Sequence, residues 1–571
     1  MSEYSVRNEK IDEKTEKELI EYPELLRRLF FNRGIKTKLE ADNFLNPVFE
    51  ENYDPFLMKG MEVAVKRIFE AIEKKEKIVI FSDYDADGIP GAVILHDFFK
   101  KVEYDNFENY IPHRVMEGFG LNDEAVEEFA KKEVKLIITV DCGIADVEES
   151  KKTKEKGIDL IISDHHLPKD ELPEAVAILD PKQIDCKYPD KNVCGAGVSF
   201  KLVQALIKKY GDRWNIKEGW EKWLLDMVGI ATVSDMVPLI GENRIFAYYG
   251  LKVLRKTPRL GIQSLLSVLK IDQKNITEDD IGFMISPRIN AASRMGEPED
   301  AFILLSTKDG VEADKMARYL NKINDERKSI VAVMVKEIKK HWKEKDPEKK
   351  RKVLVAGNPD WKPSLLGLVA NSLLDDHNGP VFLWGREGGR TLKGSCRSDG
   401  CVDIVAMMKD AEHLFDEYGG HSASGGFSVS FEKVDLLADG LEMSYEKLSI
   451  SNDDKEKIVA DAELSIDDVT FELEKLVNRL APFGMGNSKP VFAFHKAEIS
   501  SVKIFGKNNE HLEISFFKKN GSKVSAIGFF TKSEDFKVNI VVGEKIDLLA
   551  NIEKSNFRGR AEIRLRIVDI F

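Results

Sequence analysis

Four short apolar runs, each rich in β-branched residues and each followed by aspartate, constrain this chain more than any other feature. "KIVIF" (Lys77 to Phe81) leads to Asp83, Asp85 and Asp87, and "KLIITV" (Lys135 to Val140) leads to Asp141. "IDLII" (Ile158 to Ile162) leads to Asp164, His165 and His166, and "AVAIL" (Ala175 to Leu179) leads to Asp180. Runs of this length without polar alternation fit strands buried on both faces. Segments with helical spacing lie between them, among them "NDEAVEEFAKK", where Asn122 precedes an acidic first turn. Strand and helix in alternation predict a parallel sheet of the α/β class. The carboxyl ends of parallel strands share one edge, where open α/β sheets hold their ligands.

Taken singly, each acidic end has a plainer explanation. "DADG" can be a turn, an aspartate after a strand can cap a helix, and adjacent histidines can sit on a solvated loop. Recurrence at four strand ends is what points to a metal. Carboxylates gathered without a cation repel one another and their pKa values rise, and a bound cation relieves both effects. Aspartate oxygens with one or two imidazoles suit Mn²⁺ or Mg²⁺, as one ion or two, rather than a thiolate-preferring metal. Asp180 is balanced between ligand and turn, because "DPK" is a good turn sequence.

A chain of 571 residues is too long for one core and predicts about two to four domains. After the sheet region a helix-rich stretch runs to about His341, and "KEKDPEKKRK" (Lys343 to Lys352) reads as a junction. "KVLVAG" and "PVFLWG" begin a second α/β domain. Beyond Val459 the pattern changes: "HLEISFFKKNGSKVSAIGFF" is a hairpin around Asn520-Gly521, and Ile563, Leu565 and Ile567 alternate with Arg564 and Arg566 near the end. These short strands predict a small barrel or sandwich.

A net charge of -13 argues against a wholly basic nucleic-acid coat, though not against a local basic groove. The 5 cysteines show no CxxC pair, so neither a disulfide framework nor a zinc ribbon is indicated and a reducing cytoplasm is expected. The N-terminus shows no signal-peptide pattern and no apolar run reaches membrane-spanning length, so no membrane partner is expected.

The motifs "DYDADG", "VDCG" and "SDHH" resemble those of the DHH phosphoesterases. "YIPHRVMEGFGLN", "CGAGVSFKLVQAL", "ATVSDMVPLIGENR", "SPRINAASRMG", "GSCRSDG", "GGHSASGGF" and "PFGMGNSKPVF" narrow the resemblance to the RecJ family of single-strand-specific exonucleases, from about Glu50 to the C-terminus. The resemblance implies a DHH domain with an N-terminal extension and helical connector (1–342), a DHHA1 domain (353–450) and a C-terminal all-β OB-fold (459–571). It implies metal ligands at Asp85, Asp87, Asp141, His165 and Asp235, with Asp83 and His166 as outer ligands or substrate contacts. Asp235 comes from the resemblance alone; its plainer role is a cap before Val237 and Pro238. Arg288, Ser395 and Arg397 become phosphate contacts, and Gly419, Gly420 and His421 a glycine-rich phosphate cradle with an imidazole donor. Without the resemblance, Arg288, Arg294 and Arg397 would read as surface cations paired with acids.

Two positions depart from the pattern: Phe81 stands where some DHH enzymes carry a metal-binding histidine, and Lys362 where the family commonly has one. In the terminal domain Phe505, Lys507, Phe557, Arg558 and Arg560 mix aromatic and basic character, as single-strand platforms do, or are core aromatics beside solvated cations. The implied activity is a metal-dependent 5′ to 3′ exonuclease releasing mononucleotides from single-stranded DNA, in DNA repair and recombination. It would act as a monomer, with a helicase or single-strand-binding protein as a possible protein partner. The alternatives are a DHH phosphodiesterase acting on oligoribonucleotides or cyclic dinucleotides, and a non-catalytic, Cdc45-like replication scaffold.

Overall fold

A computed structural model of the chain describes residues 4–345, 351–386, 391–449, 457–506, 509–555 and 561–571. It divides into two compact units, one of Asp54–Asp235 with Gly250–Lys455, the other of Met1–Tyr53, Met236–Tyr249 and Glu456–Phe571.

The first unit contains the expected parallel sheet. Its order is Phe107–Tyr110, Ile78–Ser82, Leu136–Val140, Asp159–Ser163 and Ala177–Leu179, all parallel. Four of these strands coincide with the four apolar runs. Phe107–Tyr110 was not expected: an edge strand buries little, its four residues are only half buried, and "FENY" carries no apolar run. Of the three inner strands, Ile78–Ser82 and Leu136–Val140 are buried at every position, which is why they read as unbroken apolar sequence. Val79, Phe81, Ile137 and Ile162 pack on Val126 and Phe129 of helix Asp123–Lys131, whose first turn is capped by the Asn122 side chain as expected. Helices Gly88–Lys101 and Gly195–Tyr210 pack on each other and on the central strands.

A second sheet in the same unit pairs Leu354–Gly357 with Val381–Gly385 in parallel, then adds Leu392–Arg397, Ser424–Val429 and Glu417–His421 antiparallel. The long helix Gly310–Lys345 reaches it, burying Met334 and Ile338 with Leu354, Leu366 and Val369.

The second unit is built on a six-stranded sheet that closes on itself, because Phe492–Phe505 pairs with both His511–Phe517 and Lys545–Ser555. Strands His511–Phe517 and Lys523–Phe529 form the expected hairpin, with Gly521 at φ +81° in its turn. The core includes the start of the chain. Leu19, Leu26, Leu29 and Phe30 are fully buried in one cluster with Phe492, Phe494, Leu512 and Leu548. Tyr4–Val6 pairs in parallel with Ile458–Ala460. The N-terminal segment thus packs with the barrel. Arg244 fastens the same unit, donating to the carbonyls of Phe44, Leu480, Ala481 and Pro482. Among the described residues, no helix is long and apolar enough to cross a membrane.

Candidate metal centre

Every group the sequence placed at the sheet edge emerges from a strand end or a helix terminus. The Ile78–Ser82 strand runs into Asp83, and the turn beyond it is closed by Asp85, whose Oδ1 accepts the amides of Asp87 (2.7 Å) and Gly88 (3.1 Å). Asp87 stands at the start of helix Gly88–Lys101, and its two oxygens accept the amides of Gly195 and Ala196, each at 2.7 Å. The N-terminus of helix Gly195–Tyr210 therefore points at this carboxylate, which favours negative charge there. Asp141 follows strand Leu136–Val140 in the left-handed region at φ +61°. Asp235 caps the C-terminal end of helix Leu225–Ser234.

His165 is the hub. Its Nε2 lies 3.1 Å from Asp141 Oδ1, outside hydrogen-bonding alignment, and 3.7 Å from both Asp87 Oδ2 and Asp235 Oδ2. Asp164 organises the pair of histidines: it accepts the amides of Ile144, His165 and His166 and bonds His166 Nδ1 at 2.8 Å. Among the described residues, three sets bring their donor atoms within 4.8 Å of one another: Asp83, Asp85 and Asp141; Asp87, His165 and Asp235; and Asp141, His165 and His166. Asp180 falls in none of them, and its Oδ1 accepts the amide of Lys182 in its own turn.

Burial and mutual repulsion dominate the electrostatics. Burial, then Asp85, pushes Asp87 up to about 7. Burial, then Asp87 and Asp85, pushes Asp235 up to about 8. Asp83 and Asp141 are raised for the same reasons, burial first. Burial and then His166 lower His165 to about 3, so it is a neutral donor. At His166 burial opposes the charge, but Asp164 outweighs it and raises the group to about 9. Asp83 Oδ1, Asp141 Oδ1 and His165 Nδ1 are buried with no hydrogen-bond partner. Orphaned buried carboxylate oxygens cost free energy that a cation recovers. The donor set is oxygen-rich with imidazole, and it fits Mn²⁺ or Mg²⁺.

A glycine guards this geometry. A Cβ on Gly195 would lie 2.5 Å from Cβ and Oδ1 of Asp141. Gly195→Ala is expected to displace Asp141 and lower Mn²⁺-supported turnover by about 10²-fold, the scale of a 1 Å misplacement at a reacting centre. Steady-state assays across a Mn²⁺ titration check this, and wild-type kinetics in the variant would count against it.

The groups expected to hold substrate are distributed differently. Ser395 and Arg397 sit on strand Leu392–Arg397, where Arg397 Nη1 donates to Ser395 Oγ (3.1 Å) and to the Cys396 carbonyl (2.7 Å). Arg397 is packed against Gly367, where a Cβ would come 2.6 Å from its Nη2. Gly419, Gly420 and His421 form the exposed end of strand Glu417–His421. Arg288 is only 3% exposed and is engaged by the Met284 carbonyl and Asn321, and Arg294 donates to the Ser364 carbonyl. Neither is the acid-paired surface cation that the sequence alone suggested. Phe81 is a core residue stacked on Tyr110, with ring centroids 5.5 Å apart. Lys362 precedes helix Pro363–His377. Of the aromatic and basic residues singled out in the terminal domain, Phe505 packs edge-on against His511, while Lys507, Phe557, Arg558 and Arg560 lie outside the described residues. Arg566 lies over Phe529, 4.2 Å from the ring centroid, a contact that the sequence did not suggest.

Comparison with known proteins bears on the whole chain. Residues 77–232 match the DHH family, N-terminal domain, residues 350–447 the DHHA1 domain and residues 460–569 the RecJ OB domain. The single-stranded-DNA-specific exonuclease RecJ of Bacillus subtilis is 34% identical over 547 residues, covering 95% of this chain and 67% of that protein. The chain belongs to the RecJ family. RecJ of Escherichia coli is 29% identical, covering 96% of both chains. A crystal structure of exonuclease RecJ bound to manganese is 30% identical with a TM-score of 0.59, covering 68% of this chain and 95% of the other. RecJ of Thermus thermophilus in complex with Mn²⁺ shares the fold at a TM-score of 0.80 and 24% identity, covering 98% of this chain and 77% of the other. The fold is that of a RecJ protein: DHH and DHHA1 domains of mixed α/β structure, with an OB-fold at the C-terminal end.

Proposed function

We propose that this chain is a metal-dependent exonuclease specific for single-stranded DNA, cutting phosphodiester bonds from the 5′ end to release mononucleotides in DNA repair and recombination. The observation that carries the reading is the convergence of Asp83, Asp85, Asp87, Asp141, His165 and Asp235 at one sheet edge, with buried donor atoms left unpartnered. Family membership adds the substrate class, through the relatives named for it.

Asp85, Asp87, Asp141, His165 and Asp235 would hold Mn²⁺ or Mg²⁺, with Asp83 as an outer ligand. Such ions, as a pair, supply Lewis-acid stabilisation of the phosphate and an attacking water of lowered pKa. Asp164 fixes the His166 ring through Nδ1, which leaves Nε2 free to meet substrate. Ser395 and Arg397 would grip a phosphate, and the Gly419-Gly420 backbone with His421 would approach another; Arg288 would be a further phosphate contact. A replication scaffold without activity would have no use for the preserved ligand set, and a phosphodiesterase for dinucleotides none for the OB-fold. The working division is a catalytic region ending at 342, a second α/β domain over 353–450 and a nucleic-acid-binding barrel over 459–571, with the N-terminal helices assigned to the barrel core. The protein would act in the cytoplasm as a monomer, meeting a helicase or a single-strand-binding protein on its substrate.

The deciding experiment incubates 5′- and 3′-labelled single strands, duplexes and RNA with the protein in Mn²⁺, Mg²⁺ or EDTA. Release of labelled mononucleotide from the 5′ label on single-stranded DNA, abolished by EDTA, is expected; degradation from the 3′ end or a preference for duplex would sink the reading. Arg397→Ala should weaken DNA binding about equally for all sequences and reduce the salt slope by about 1, as loss of one phosphate contact does. An unchanged slope in a salt titration would return Arg397 to a structural role.

A further inference from the structure

The helix that opens at Asp87 and the helix that closes at Asp235 are tied together at their far ends by one arginine. Asp97 stands on helix Gly88–Lys101, ~15 Å along its axis from Asp87 at 1.5 Å per residue. Asp226 stands in the first turn of helix Leu225–Ser234, at the opposite end from Asp235. The two helices pack against each other. At one end Asp87 and Asp235 each come within 3.7 Å of His165 Nε2. At the other, Arg259 places Nη2 2.7 Å from Asp97 Oδ2 and Nε 2.8 Å from Asp226 Oδ2. The pair is therefore antiparallel, with the metal centre at one end and the arginine at the other.

The cluster around Arg259 is fully built. Nη1 donates to the Leu305 carbonyl at 3.3 Å, and the Thr257 hydroxyl donates to the same Asp226 oxygen at 2.7 Å. Asp226 and Thr257 are each 1% exposed. Burial works against the guanidinium charge, yet Asp226 and Asp97 outweigh it and the pKa of Arg259 is raised. A buried ionic triad is weak as a source of stability, because an apolar set of similar volume avoids its desolvation cost. Its geometry supplies something an apolar set would not: a forked, directional link between two helices. A change of about 4° in their crossing angle would move a carboxylate at the other end of that ~15 Å lever by about 1 Å.

We propose that Arg259 is a positioning residue that clamps Asp97 to Asp226 and so sets the spacing of Asp87 and Asp235 for the cation they share. The inference rests on the metal-centre reading above, and it assigns to Arg259 no contact with substrate or metal.

The test uses full-length protein and two variants. Arg259→Lys keeps the charge and removes the fork. The triple change Asp97→Asn, Asp226→Asn and Arg259→Met removes the whole charge set, so no buried ion is stranded, and it decides the matter if Arg259→Lys fails to fold. Mn²⁺ binding is measured without DNA by calorimetry and by the electron paramagnetic resonance signal of the free ion. Thermal unfolding and single-strand affinity in EDTA are recorded alongside. Weakening of Mn²⁺ binding by about 10–100-fold, as when an outer-shell partner is lost, with unchanged single-strand affinity is expected in a folded variant. A variant that melts earlier but binds Mn²⁺ as the wild type does would overturn the clamp and leave the metal centre standing. Wild-type protein that binds no Mn²⁺ would bring down both.

Discussion

Asp141→Asn should reduce turnover on single-stranded DNA by about 10³-fold or more, beyond the 10–100-fold typical of outer-shell losses. Asp141 belongs to two of the three candidate ligand sets, is 2% exposed, and has a carboxylate oxygen without a hydrogen-bond partner. Asparagine is the informative replacement because it tolerates the left-handed backbone at φ +61°, where alanine would add strain to the loss of a ligand. The same change should stabilise metal-free protein, on the order of 1 kcal/mol, since it removes one member of a buried, mutually repelling carboxylate set. Asp87 would not give so clean a result, because its oxygens accept the amides of Gly195 and Ala196 and their loss would offset the gain. Calorimetric unfolding with and without Mn²⁺, beside single-turnover kinetics, makes the comparison. Turnover within about tenfold of wild type would remove Asp141 from the metal centre.

Ending the chain after Ile450 should yield insoluble protein rather than a trimmed nuclease. The division suggested by the sequence, with the last domain separable from the rest, would predict a soluble fragment. The N-terminal helices, however, bury Leu19, Leu26, Leu29 and Phe30 in the barrel core, and Arg244 finds three of its carbonyl acceptors at Leu480, Ala481 and Pro482. Exposing a buried leucine or phenylalanine costs about 1.5–3 kcal/mol, so four of them cost about as much as the whole stability of a typical domain. Soluble yield and dye binding to exposed apolar surface are the readouts. A monomeric fragment of residues 1–450 with cooperative unfolding would show that the N-terminal segment needs no partner.

What could be read from sequence follows from how local each signal is. Four strands announced themselves because strands covered on both faces must be apolar throughout, while Phe107–Tyr110, half buried at the edge, carried no such mark. Asp83, Asp85, Asp87, Asp141 and His165 were visible because each follows its strand directly. Asp235 was not, since it ends a helix far along the chain and only a motif resemblance singled it out. The hairpin at Asn520-Gly521 was legible from its turn. The pairing of Tyr4–Val6 with Ile458–Ala460 leaves no trace in either segment, because no local periodicity records a partner so distant. Phe81, a departure from the motif, is explained by the sheet: it fills core space against Tyr110 and Phe129.

That distant pairing has a consequence during synthesis. The Tyr4 hydroxyl finds Asp547 across 543 positions of chain, at 2.7 Å. At 5–20 residues per second, the first strand and the helices after it leave the ribosome roughly half a minute to two minutes before their partners are made. Meanwhile the parallel sheet between them can close, since its strands follow one another within about a hundred residues. Leu26, Leu29 and Phe30 must wait in the open, prey to proteases and to chaperones that read apolar segments. A ribosome that stalls before the last strands would release a chain whose catalytic sheet is formed but whose beginning marks it for removal.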